Sequence, residues 1–159
     1  MNLESIKQRQ KIILKKLKED GTPPAIGEDA DEAREILRSA FLLVFRAFPQ
    51  EVMGSDLCYL GLYNHWDDPL HAGNALTLEN ADTGEKIRGI IVSMHVFDYD
   101  VDFLFLVLLH ELAHVLSGHD EKAIAHDEVF EAELEELINE FNRIYGTHIV
   151  NDWCSYGEE

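Results

Sequence analysis

Residues Val101–Ser117 read VDFLFLVLLHELAHVLS. Phe103–Leu109 is an unbroken apolar run, and Leu112, Ala113, Val115 and Leu116 continue it past two histidines and a glutamate. A segment that is apolar almost all round predicts a helix lying inside the fold. Asp98-Tyr99-Asp100 supplies capping carboxylates ahead of it, and Gly118 ends it. Polar groups in such a helix need partners, because burying His110, Glu111 and His114 unpaired would cost several kcal/mol.

The spacing of these three residues suggests what the partner is. Residues four apart on a helix share a face, with Cβ atoms about 5–6 Å apart. Two imidazoles so placed can close on one zinc ion, since Zn–N bonds are about 2.0–2.1 Å. Glu111 lies one step round the helix, where it reaches a water on the metal instead of the metal itself. The HExxH pattern fixes only three positions, so its setting in a buried helix carries as much weight as the motif.

A catalytic site wants a third protein ligand and an open fourth position. His119, His126 and a glutamate of the last helix, Glu133 or Glu135, are the candidates, and spacing alone does not choose among them. His65, His71 and His95 flank predicted strands and read as ordinary polar residues. His148, Tyr99, Tyr145 and Tyr156 are candidates for stabilising an oxyanion or leaving group, with nothing to choose among them.

Around this helix the chain reads as mixed helix and strand. A last amphipathic helix is expected over about Asp127–Tyr145. Asn74–Glu79 and Ile87–Met94 read as two strands of a hairpin turning at Asp82-Thr83-Gly84, and Cys58–Tyr63 as a short strand. A helix over about Asp31–Ala47 places Ile36, Leu37, Ala40, Phe41, Val44 and Phe48 at core spacing, with Pro49 beyond it. Residues Leu3–Glu19 place Leu3, Ile6, Ile13, Leu14 and Leu17 near one face of a further helix, which Gly21-Thr22-Pro23-Pro24 stops. That divides the chain into a basic amphipathic helix over residues 1–20 and one domain over residues 21–159.

Composition bounds what this domain does. With 46% apolar and 28% charged residues in 159, the chain is built to form a real core. The first 20 residues lack the apolar core and cleavage site of a secretory signal, and no apolar stretch approaches a membrane span. Cys58 and Cys154 are too few for a disulfide framework, so a reducing, intracellular setting, cytoplasmic or nuclear, is the expectation. The first 18 residues hold six of the 13 basic side chains and one acid, Glu4. The remainder keeps seven basic and 30 acidic side chains, a net of −23. Such a body repels nucleic acid and anionic membranes, leaving the lysine-rich leading helix as the only obvious patch for a polyanion. Its apolar residues favour docking on the body over service as a free arm.

The residues after the buried helix carry a resemblance. HELAH is followed by His126-Asp127-Glu128-Val129-Phe130 and then by Leu134, Glu136 and Leu137. In that order they resemble the WLM metallopeptidases, relatives of the SprT/Spartan proteases, whose pattern is HELxH, a short loop, HDxxF and a helix continuing LxEL. GNALTLEN and IRGIIVSM resemble the strand pair ahead of that family's active helix. The resemblance spans roughly Leu57–Leu137, with its specific residues after Leu108. It implies a zincin-like α+β domain in which a small antiparallel or mixed sheet packs on the HExxH helix between flanking helices. It also implies His126 as third ligand and Phe130 as the aromatic packed behind it. Gly118-His119-Asp120 departs from the family by lacking its proline and following Phe. Were His119 the ligand, position 123 should be aromatic, and it is Ala123.

The expected function is zinc-dependent hydrolysis of peptide bonds, with His110, His114 and His126 on the metal and Glu111 as general base. Its substrate would be a protein or peptide, extended along an edge strand at Asn74–Leu78. The related proteases cut proteins crosslinked to DNA; here that role would need the basic helix or a partner. Two other classes compete: a non-catalytic zinc-stabilised domain whose acidic surface binds a basic partner, and a zinc hydrolase acting on a non-peptide bond. Glu111 counts against the first, because a structural site has no use for that carboxylate. It also counts against the second in its small endoribonuclease form, which lacks a glutamate between the histidines.

Overall fold

The buried helix is α4, Val101–Leu116, and 12 of its 16 residues are buried, His110 and Glu111 among them. Asp100 caps it as its sequence predicts, its carboxylate accepting from the Phe103 N–H at 3.2 Å. The structure, a computed structural model, describes residues 3–22, 24–64, 72–117 and 128–152. Among them the chain is mixed α+β, with five helices and a three-stranded sheet: α1 Leu3–Glu19, α2 Glu28–Ala47, α3 Pro49–Met53, β1 Leu57–Tyr63, β2 Gly73–Glu79, β3 Lys86–Ser93, α4, and α5 Glu128–Tyr145. A short 3-10 turn, Met94–Asp98, links β3 to α4.

The sheet runs in the order β1-β3-β2, with β3 parallel to β1 and antiparallel to β2. The hairpin between β2 and β3 is the expected one, closed by the Asn80 N–H to the Glu85 carbonyl and the Gly84 N–H to the Asn80 carbonyl, both 2.8 Å. Gly84 takes φ 72 there, a conformation that favours glycine. The imperfect alternation of IRGIIVSM has a physical cause, because β3 is central and covered on both faces. Ile90 and Val92 join the core shared by α2, α4 and α5; Ile87 and Ile91 join a second cluster beneath α1.

The leading helix lies on the sheet, with Ile13 and Leu17 fully covered against Tyr63, Leu76, Ile87 and Ile91. Gly89 makes this approach possible, since a Cβ there would stand 3.1 Å from Ile13 Cδ1. The face differs from the one read in the sequence. Leu3 and Leu14 are exposed, and Arg9 is buried in their place and paired with Glu85 of the hairpin turn. Three or four apolar residues mark a stripe only to within about a third of a turn, and the docking surface decides the rest. The same applies to α2, which begins three residues earlier than expected. It buries Ala30, Ala33, Leu37, Ala40 and Val44 and leaves Ile36 exposed.

The two outer edges of the sheet differ. The Ala25 N–H donates to the Leu62 carbonyl at 2.9 Å and Pro24 bridges Tyr63, so the segment after α1 covers the last residues of the edge of β1. Among the described residues nothing pairs with the outer edge of β2. None of the described helices is long and apolar enough to cross a membrane.

Candidate metal centre

α4 presents its polar residues on two sides. Glu111 faces the sheet along with Val107, and its Oε2 lies beside Gly73 at the start of β2. His110 and His114 face α5, where Phe130 lies between them and the rest of that helix. The two imidazole centroids are 5.0 Å apart. Phe130 stacks on His114 at 4.2 Å and 27°, and meets His110 edge-on at 5.0 Å. Phe130 belongs to the buried stripe Phe130, Leu134, Leu137, Ile138 and Phe141, and Phe141 against Phe105 holds the far end of the helix pair. The stacking restricts how either imidazole can turn, which is what a metal site asks of the shell behind its ligands.

Glu111 is almost completely buried, and burial alone pushes its carboxyl up to about 8. No described cation or donor pulls the other way. A divalent ion held by the neighbouring histidines would do so, favouring the carboxylate. Burial also holds the Tyr63 phenol well above its ordinary value, the Glu111 charge adding to the effect and a hydrogen bond with Ser93 opposing it.

The last turn of α4 is tied to the sheet by Arg88 of β3, which donates to the Val115 carbonyl at 2.7 Å. That carbonyl is one of the four a helix end leaves unsatisfied. Arg88 was not singled out in the sequence, although a charged residue in the apolar run IRGIIVSM was a signal for it.

Only part of the expected ligand set falls within the described residues. His126 and His119 lie outside them, as do His65, His71, Cys154 and Tyr156. Among the described residues no group of three or more His, Cys, Asp or Glu side chains could hold a metal ion, so neither Glu133 nor Glu135 joins the histidine pair. Glu135 is exposed, and burial raises the Glu133 carboxyl, with the charges of Glu136 and Glu51 adding to the effect. The two described tyrosine candidates have other contacts. Tyr145 donates to the Leu43 carbonyl at 2.6 Å, joining α5 to α2, and Tyr99 packs edge-on against Phe103. His95 Nδ1 meets Ser93 Oγ at 2.7 Å, and His148 is exposed beyond α5. Cys58 is a half-buried thiol on β1, pushed up by burial.

The residues present fit part of a zinc centre: two imidazoles on one helix face, His110 buried and His114 half-buried, braced by an aromatic ring, with an uncompensated buried carboxylate one step away. No family model, no curated protein and no solved structure matches the chain.

Proposed function

We propose that the chain is a zinc-dependent peptidase of zincin-like fold. The observation that carries the reading is Glu111, a carboxylate buried one step from a histidine pair and beside the sheet edge that nothing described covers. A structural zinc site gains nothing from such a group, whereas a hydrolase needs a base there.

His110 and His114 would hold the ion, and His126 is the residue we assign to complete the set. Zinc held by that set would supply a Lewis acid for the hydrolysis. Glu111 then takes a proton from the attacking water and delivers it to the leaving amine. The substrate binds to the outer edge of β2. The Ser93 N–H donates to the Ala72 carbonyl at 2.9 Å, and Gly73 lies opposite Val92. That register makes Gly73, Ala75 and Thr77 the residues whose own N–H and C=O groups point away from β3. An extended peptide can pair with them, starting beside Glu111.

Glu111→Gln keeps the shape of the side chain and removes the base. It should retain zinc while peptide cleavage of an unstructured substrate such as casein is lost; chelator should abolish cleavage by the unaltered chain. Undiminished cleavage by Glu111→Gln would sink the assignment. Zinc bound without any cleavage by the unaltered chain would favour the alternative, a zinc-stabilised acidic interaction domain.

A further inference from the structure

A glycine inside a strand gives the sheet no side chain to pack and usually marks a bulge or a close approach. Gly73 is not at a bulge, since it sits on a regular rung opposite Val92. Nor is its φ in the left-handed region, where only glycine is at ease. What distinguishes the position is crowding. A Cβ there would stand 3.1 Å from the Ile91 carbonyl oxygen, 3.1 Å from Val107 Cγ1 and 3.2 Å from Glu111 Oε2. Ile91 and Val107 are fixed in the sheet and the core, Val107 with no exposure at all. The carboxylate, at the free end of a side chain, is the group that would give way.

We infer that Gly73 is a positioning residue for Glu111, its missing side chain being the space the carboxylate occupies beside the outer edge of β2. The steric half of the inference stands on the packing alone, and the catalytic half rests on the peptidase reading. Gly73 is also the first residue of β2 whose backbone groups face that outer edge. One residue therefore sets how far the base stands from a peptide paired along that edge. A side chain at this position displaces the carboxylate and leaves the pairing groups of Ala75 and Thr77 where they are. The loss therefore falls on kcat and not on KM.

Two measurements test the halves separately. In chelator-treated protein, thermal melts of Gly73→Ala, Glu111→Ala and the double variant form a cycle. Gly73→Ala should lower the melting point in the unaltered chain and lower it clearly less once Glu111 is truncated; equal drops overturn the steric contact. In zinc-loaded protein, Gly73→Ala should hold zinc at the unaltered stoichiometry, cut kcat about tenfold or more and leave KM within about threefold. Unchanged kcat, or a loss that follows lost zinc, overturns the positioning role. If Gly73→Ala does not fold, the same comparisons are made on Gly73→Ala/Val107→Ala against Val107→Ala, where space opens beside the added methyl. An unaltered chain that binds zinc and cleaves nothing overturns the peptidase reading and the catalytic half with it, while the melts still decide the contact.

Discussion

Glu111 answers to two opposed demands. Burial favours its neutral form, and its proposed work as a base requires the charged one. Without metal its folded carboxyl is pushed up to about 8, whereas an ordinary glutamate ionises near 4.5. Between those values the unfolded chain gives up the proton and the folded chain keeps it. The contribution of Glu111 is therefore complete below about pH 4.5 and is lost as pH rises toward about 8, to the extent of a few kcal/mol. In chelator, the melting point of the unaltered chain should fall from pH 5 to pH 8 more steeply than that of Glu111→Gln. Parallel curves would mean that the carboxyl is not buried as described. Zinc should reverse the trend, because a cation at the histidine pair stabilises the ionised form. The sequence announced Glu111 through HELAH, but nothing in it linked Glu111 to Gly73, 38 residues earlier in the chain. Nor did it link Val115 to Arg88. Both contacts arise where the hairpin is laid against α4.

At the scale of elements, the proposed site depends on the difference between the two edges of one small sheet. Pro24 and Ala25 cover the Leu62–Tyr63 end of the edge of β1, and among the described residues nothing pairs with the outer edge of β2 beside the histidine helix. Thr77 lies opposite Arg88 with its N–H directed outward, so it makes no ladder bond to β3. Proline at such a position is tolerated, whereas proline at Leu76, opposite Gly89, would remove a bond to β3. Thr77→Pro should therefore raise KM for an extended peptide several-fold and lower the melting point far less than Leu76→Pro does. A KM equal to that of the unaltered chain would remove the outer edge of β2 from substrate binding. Strand positions and the hairpin were readable from β-branched runs around a glycine turn. The strand order was not, since it depends on which strand α1, α2 and α4 enclose.

For the molecule as a whole, charge is the dominant fact. A formal −18 on 159 residues sets like charges against one another in the folded state. The surface ion pairs within helices, such as Lys16–Asp20 and Arg38–Glu35, are of the kind worth only about 0.3–0.5 kcal/mol each. The Debye length falls from about 30 Å at 0.01 M salt to about 8 Å at 0.15 M. The melting point should accordingly rise by several degrees over that range. A fall on adding salt would show that ion pairs outweigh the repulsion. Lys7, Lys11, Lys15 and Lys18 stand exposed along α1 while Ile13 and Leu17 bind it to the sheet. The basic helix is thus part of the packed body and still shows its charge to solvent.

What the sequence determined by itself is local. The apolar run, its capping aspartate and the four-residue spacing of His110 and His114 are settled within one helix by contacts a few residues apart. The mixed α+β class, the hairpin and the acidic balance are of the same kind. Tertiary structure alone decided which side of α4 meets β2, that Phe130 lies against both imidazoles, and that Gly73 leaves room for Glu111. It also decided that α1 buries Arg9 and leaves Leu14 exposed. The reason is that a helix or strand sets the direction of its side chains relative to one another, while what each direction meets depends on packing between segments far apart in the chain.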